Sequence, residues 1–293
     1  LTRNHQLFSI VDDKQVVDEE LSGCQLLILP NVLCMDSEEA LKIEEYVRNG
    51  GTVLATDGTS FYDCRGDSHA RPLLGDMMGI DHVEQIFPYL AGCSYMKIDE
   101  TEMLQKDIGA TLIPGCSISL KYKPVEGQQI LTRQYIPMNG GYDLFPEESF
   151  PSISLRRYGK GTVIYIAGNF GQTYMKYYPD AFKKLTDNLI DSHIKRSVDV
   201  RGLFESVEIE ERVQQEKRRR LLHFVNYTGC MQRPINRIIP CRNVEVAVKD
   251  ERTVDRVYSL YDRKDIKFEQ KDGTVRFALD EIREYELVVL QFK

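Results

Sequence analysis

The sequence predicts an α/β domain with a doubly wound sheet over residues 1–200, followed by an all-β sandwich over 201–293. Three observations carry this. Short, continuous apolar runs, "LFSIV" (7–11), "QLLILP" (25–30) and "TVLAT" (52–56), have the composition of strands buried on both faces of a parallel sheet. Helical patterns separate them, and such β-α-β alternation implies right-handed crossovers with helices covering the sheet. After "KRSVDVRG" the pattern changes to alternating or β-branched runs set between turn residues.

Taken in order, the clearest early helix is "DSEEALKIEEYVRNGG". Asp36 or Ser37 caps its start, acidic residues fill its first turn, Ala40, Ile43 and Val47 form an inward stripe, and Gly50 supplies a left-handed stop. Residues 64–150 are less regular, with glycines, prolines and short β-like runs such as "QQILTRQYIP", and read as an elaborated insertion. The segment "SISLRRYGKGTVIYIAGNFG" reads as two strands joined at a turn around Gly159 and Gly161. The helix "PDAFKKLTDNLIDSHI" follows, with Pro179 near its first turn and Phe182, Leu185, Leu189 and Ile190 on one face. In the last third, "RRLLHFVNY", "NVEVAVKD", "VDRVYSLYD" and "YELVVLQF" are strand-like, and "KDGT" (271–274) is a hairpin signal.

Composition excludes several function classes. No apolar run approaches the roughly 20 residues that span a bilayer, so no membrane partner is expected. Residues 1–201 hold 20 Lys+Arg against 28 Asp+Glu, and 202–293 hold 18 against 17, so neither part has the basic footprint of a nucleic-acid binder. The one basic run, "KRRR" (217–220), beside a hairpin turn, reads as a solvated strand edge. Seven cysteines form no CxxC pair and leave one over, which argues against disulfides or zinc and favours a reducing, cytoplasmic compartment. No metal or cofactor is expected: "GGTV" precedes a strand where a phosphate loop would open a helix. The chain opens at Leu1 with no initiator methionine, and further residues are expected upstream.

The stretch "GGTVLATDGTSFYD" has the strand-to-turn form that carries the nucleophile in many α/β enzymes. Ser60 stands near that place, with Gly58 before it but without the second flanking glycine of a GxSxG pattern; Cys64 is the alternative, beside Arg65, whose charge would lower a thiol pKa. A base is missing. The strand "TVIYIAGNFG" ends in Gly168, Asn169 and Phe170, and His5, His69, His82, His193 and His223 lie in polar segments, an insertion, a helix end or a strand. Asp57 and Asp63 are the one acidic pair at the carboxyl end of a strand, where open α/β sheets bind ligands; with Tyr62, Asn169 and Tyr174 they could line a small polar pocket. The "NYT" at 226–228 matches a glycosylation sequon that means little without secretion.

The blocks "LLILPNVLCMDSEEALKIEEYVRNGGTVLATDGTS", "YGKGTVIYIAGNFGQTYMKYYPDAFKKLTDNLI" and "LLHFVNYTGCMQRPINRIIPCRNVEVAVK", in that order, resemble the β-galactosidase trimerisation domain and the β-sandwich that follows it in bacterial glycoside hydrolases. The resemblance implies a flavodoxin-like, class I glutamine amidotransferase-like fold that has lost its triad and serves subunit assembly. Catalysis would then belong to Glu residues of a TIM barrel outside this chain. It implies a homo-oligomer, a trimer, with carbohydrate as the ligand of the whole protein. Phe61 and Tyr62 become stacking candidates at the rim of a neighbouring subunit's sugar site. The family's first strand should lie upstream of Leu1. Two other readings stay open: an amidohydrolase-like enzyme using Cys64 or Ser60, and a carbohydrate-binding sandwich, against which stands the absence of Trp.

Overall fold

The structure, a computed structural model, describes residues 1–18, 21–88, 94–98, 102–135, 149–228 and 237–293. They fall into two compact units, Val11–Ile194, and Leu1–Ile10 together with Lys195–Lys293.

Val11–Ile194 runs α1 (Asp13–Asp18), β1 (Leu27–Leu29), α2 (Ser37–Arg48), β2 (Thr52–Thr56), α3 (Gly75–Met78), β3 (Val83–Phe87), β4 (Tyr95–Ile98), α4 (Glu102–Gln105), β5 (Leu112–Pro114), β6 (Ser119–Tyr122), β7 (Gln129–Tyr135), β8 (Ser149–Tyr158), β9 (Gly161–Ile166), α5 (Phe170–Tyr177) and α6 (Asp180–Asp191). Seven strands form one sheet in the order β1-β2-β9-β8-β7-β4-β5, and β3 pairs with β6 apart from it. Strands β1, β2 and β9 are parallel, while β8, β7, β4 and β5 continue the sheet antiparallel. The sheet is therefore mixed, and not the uniformly parallel one that the apolar runs suggested. The segment 64–150 is the cause. It supplies β4, β5, β7 and the first residues of β8, and it extends the central sheet with strands that all pair antiparallel, β8 with β7, β7 with β4 and β4 with β5.

The parallel strands are buried on both faces, as their unbroken apolar runs require. Val53 and Ala55 of β2 and Val163 and Tyr165 of β9 pack with Ala40, Ile43, Tyr46 and Val47 of α2. Leu54, Ile164 and Ile166 point the other way, against Phe170 of α5 and Phe182, Leu185 and Leu189 of α6. The rings of Phe170 and Phe182 stack at 4.2 Å. Helix α2 starts at the cap the sequence offers: the Asp36 N–H donates to Glu39 Oε2 at 2.9 Å, one half of a capping box. The turn from β8 to β9 falls at Gly159 and Lys160, as read.

"LFSIV" forms no strand. Phe8 and Ile10 are 53% and 86% exposed, and Leu7 packs instead into the core of the second unit. A short apolar run states burial preference and not its partner, and Leu7–Ile10 belong to the other unit, the boundary falling before Val11.

That second unit is all β: β10 (Val198–Arg201), β11 (Val207–Gln214), β12 (Arg219–Asn226), β13 (Cys241–Lys249), β14 (Val254–Ser259), β15 (Lys264–Asp265), β16 (Phe268–Lys271), β17 (Thr274–Ile282) and β18 (Tyr285–Phe292). Two antiparallel sheets, β10-β13-β17-β16 and β11-β12-β18-β14-β15, face each other across one core that includes Val246, Val248 and Phe277 from the first and Leu222, Phe224, Val288 and Leu290 from the second. "KDGT" makes the β16–β17 turn; Asp272 and Gly273 both have positive φ, 49° and 64°, the conformation of a two-residue hairpin loop that glycine adopts without a steric penalty. The amino-terminal segment is tied in by Arg196 Nη1, which donates to Asn4 O at 3.0 Å, and by a 3.0 Å bond between His5 Nε2 and Phe204 O.

Two sequence readings change here. "KRRR" is solvated only in part: Lys217 and Arg218 are exposed in the turn, whereas Arg219 and Arg220 open β12, which lies between β11 and β18, and Arg220 is 5% exposed. Its guanidinium pairs with Glu211 and with Asp250 at 3.4 Å, and donates to Lys249 O at 2.9 Å. The sequon's Asn226 is buried, its Nδ2 donating to Ile239 O and its Oδ1 accepting from Thr228 N, so the amide is committed to the fold. Residues 229–236, which include part of the third resemblance block, lie outside the described residues.

Candidate functional site at the carboxyl ends of the parallel strands

The end of β2 turns sharply. Asp57 has a φ of 53° and Ser60 one of 65°, a left-handed conformation uncommon outside glycine that marks a tight, over-determined bend. The Asp57 N–H donates to Ile166 O at 2.9 Å, which holds the bend against the end of β9, and Asp57 O accepts from the Tyr165 hydroxyl at 2.8 Å. Burial raises the Asp57 pKa above the usual carboxylate range. Its charge reaches two buried neighbours, Cys116 and Tyr165, whose own pKa values are pushed up chiefly by burial. The Cys116 thiol is a core group held in its neutral form.

Ser60 is fully buried. Its Oγ accepts from Leu74 N at 3.0 Å, its N–H donates to Val32 O and its carbonyl accepts from Leu73 N, so the residue stitches the bend to two neighbouring segments. Cys64 is exposed, but its pKa is raised and not lowered: the thiol hydrogen-bonds the Asp36 carboxylate, whose charge adds to the shift and outweighs Arg65. The expectation that Arg65 would activate Cys64 is thus reversed, because the parallel pairing of residues 34 and 62 brings Asp36 alongside it. Among the described residues no histidine hydrogen-bonds either Ser60 or Cys64. His82 pairs with Asp81, His193 bonds Leu189 O and Ser192, and His223 bonds Tyr285.

The remaining predicted residues separate. Asp63 closes the loop 63–67, its Oδ1 accepting from Arg65 N and Asp67 N at 2.9 Å each, and these N–H groups hold its carboxyl below the usual range. Phe61 is half-buried against the core beneath α2, and Tyr62 is 37% exposed, hydrogen-bonded through its backbone to Leu33 and Met35. Tyr174 sits on α5, packed on the opposite side of the sheet and edge-on to Tyr178 at 5.7 Å. No hydrogen bond, ion pair or ring contact joins it to Asp57, Tyr62 or Asp63. Asp57 and Asn169 are brought to adjacent strand ends, but their bonds go to different partners, and no hydrogen bond joins the side chains of these six described residues to one another.

Asn169 stands where a base would be sought, and its amide is saturated. Oδ1 accepts from Ile118 N at 2.8 Å, Ser117 Oγ at 3.1 Å and Thr173 Oγ1 at 2.9 Å, and Nδ2 donates to Gln172 Oε1 at 2.8 Å. Thr173 Oγ1 also accepts from Ser117 N at 2.8 Å. The side chain thus clamps the loop between β5 and β6 onto the strand end and, through the side chains of Gln172 and Thr173, onto the first turn of α5, without a capping bond to the helix backbone. Gly168 is the matching requirement, since a Cβ there would lie 2.5 Å from Ile118 O. The i, i+4 spacing of Asn169 and Thr173 on one helix turn was readable; Ser117 and Ile118, some 50 residues away in sequence, carried no signal. Among the described residues no cluster of His, Cys, Asp and Glu could hold a metal ion, and no helix is long and apolar enough to cross a membrane.

Over its full length the chain is similar to α-L-fucosidase isoenzyme 2 from Paenibacillus thiaminolyticus, at 21% identity and a TM-score of 0.78, covering 44% of that chain. It is similar over 94% of its length to β-galactosidase from Bacillus circulans sp. alkalophilus (18% identity, TM-score 0.61, 34% of that chain), and over 99% to Gan42B, a GH42 β-galactosidase from G. stearothermophilus (15%, 0.63, 34%). At these identities the likeness is one of fold, and this chain spans less than half the length of each. No curated protein matches by sequence. The family model of the β-galactosidase trimerisation domain matches residues 9–193, well over half of the chain. By that match, this chain belongs to the β-galactosidase trimerisation domain family.

Proposed function

We propose that this chain is the assembly and accessory region of a glycoside hydrolase and contributes no catalytic group of its own. The match over residues 9–193 to a domain named for trimerisation carries this reading. The strand-end geometry supports it: the serine at the bend is buried and bonded, the nearby cysteine has a raised pKa, and the residue at the base position is an asparagine with a saturated amide. Three parallel strands with helices on both faces are, in this reading, the retained core of a flavodoxin-like, amidotransferase-like sheet, kept as scaffold after the chemistry was lost. The α/β unit drives self-association, to a trimer, and the catalytic barrel lies in another part of the parent protein. Phe61 and Tyr62 remain the residues of the bend that would rim a sugar site in the assembly.

Thiol labelling tests the absence of a nucleophile. At neutral pH Cys64 should react more slowly than an unperturbed exposed thiol, its rate should rise only with increasing pH, and Asp36→Asn should speed it. A single fast-reacting thiol at Cys64 at neutral pH would overturn the reading in favour of an amidohydrolase-like enzyme.

A further inference from the structure

The second unit presents an aromatic corner that neither the assembly role nor the family match uses. The turn between β14 and β15 carries Leu260 and Tyr261, 45% and 57% exposed. Three hydrogen bonds fix it: Leu260 N to Leu287 O at 2.8 Å, Asp262 N to Ser259 Oγ at 2.8 Å, and Ser259 Oγ to Glu286 Oε1 at 2.7 Å. Glu286 is only 6% exposed, and its Oε1 also accepts from Leu287 N at 2.7 Å. A buried carboxylate is costly unless bonded, and here its bonds go to the turn that holds Tyr261 out. The Tyr261 ring meets Tyr285 edge-on, with centroids 6.1 Å apart and planes at 80°. Tyr285 is held in turn, its hydroxyl 2.7 Å from His223 Nδ1 on the neighbouring strand.

We propose that the Tyr261–Tyr285–His223 corner is a binding site for the pyranose rings of an oligosaccharide. An exposed aromatic face, electron-rich at its centre, stacks on the C–H face of a sugar ring, and fixing the ring beforehand removes the ordering cost that weakens such contacts. Asp262 and Lys264, paired at 3.0 Å and both solvent-exposed, and the imidazole of His223 are hydrogen-bonding groups beside the platform for sugar hydroxyls. A protein partner would need a wider apolar centre than Leu260 and Tyr261 provide. The inference takes only its choice of probe from the glycoside hydrolase reading; it does not depend on oligomeric state.

Calorimetric titration of the whole chain with galacto-, fuco- and gluco-oligosaccharides tests it. Binding with a Kd between about 1 μM and 1 mM is expected for at least one series. Tyr261→Ala should weaken it at least about tenfold and Tyr261→Phe less than about threefold, with the melting temperature of both variants close to the parent's. Tyr285→Phe, which keeps the ring and loses the bond to His223, should fall between them. No heat of binding up to about 10 mM sugar, or equal affinity for the parent and Tyr261→Ala, would overturn the proposal. So would a change in solution mass on Tyr261→Ala, which would make the corner a protein contact.

Discussion

Replacing Asp250 with alanine is expected to destabilise the sandwich by about 3–5 kcal/mol, the cost of breaking a buried ion pair from one side. The Asp250 side chain is 7% exposed and accepts from Arg252 Nε at 2.9 Å, Arg252 Nη2 at 2.7 Å and Arg252 N at 3.1 Å, with Arg220 Nη1 at 3.4 Å. Arg252 is partly solvated and lies over the Phe292 ring at 3.8 Å, so it tolerates the loss. Arg220 does not, because its side chain is 6% exposed and would keep Glu211 alone as its ionic partner. Urea unfolding followed by circular dichroism should show a lower midpoint for the sandwich transition; a loss under about 1 kcal/mol would mean that Glu211 alone satisfies the buried guanidinium.

The same site fixes a pH dependence. Burial by itself would raise the Asp250 pKa, but the hydrogen bonds from Arg252 and the charges of Arg252 and Arg220 outweigh it and hold the carboxyl below its ordinary value. A carboxyl depressed in the folded state gives stability that is complete above its unfolded pKa of about 3.9 and is lost as pH falls through the folded value. The gap between the parent and Asp250→Ala should therefore be full near neutrality and narrow as pH falls below about 4.

Asn169→Ala is expected to cost about 2–4 kcal/mol in the α/β unit, because it leaves the Ile118 N–H and one of the Ser117 and Thr173 hydroxyls, which still bond each other at 2.9 Å, short of an acceptor at roughly 1–3 kcal/mol for a buried orphan. Amide exchange at residues 117 and 118 should accelerate more than exchange in β2 or β9, since the loop is clamped by this side chain and the strands are not. Thr173→Ala should be non-additive with it, as both residues serve Ser117. Unchanged exchange at 117 and 118 would show that the clamp is dispensable.

Much of this architecture could be read locally. The cap and stripe of α2, the amphipathic face of α6, the β8–β9 turn and the Asp272–Gly273 hairpin each depend on residues within one or two turns of one another, and each appears where the pattern placed it. Pairing partners were not local. The residues of β4, β5 and β7 looked like an insertion because a strand pattern does not say which edge it joins, and "LFSIV" looked like a strand because an apolar run does not say which core it enters. The site divides the same way. That Ser60 and Cys64 lack a partner base was visible from the histidine positions, whereas the Asp36 contact that reverses the expected shift at Cys64, the Asn169 clamp and the burial of Arg220 all arise from residues at least 25 positions apart or from strands known only once the sheets are formed.

The most direct test of the assembly role is the solution mass of this chain by light scattering across a wide concentration range. A plateau at three times the 33.8 kDa protomer is the predicted result, and a mass of 33.8 kDa at every concentration would contradict it.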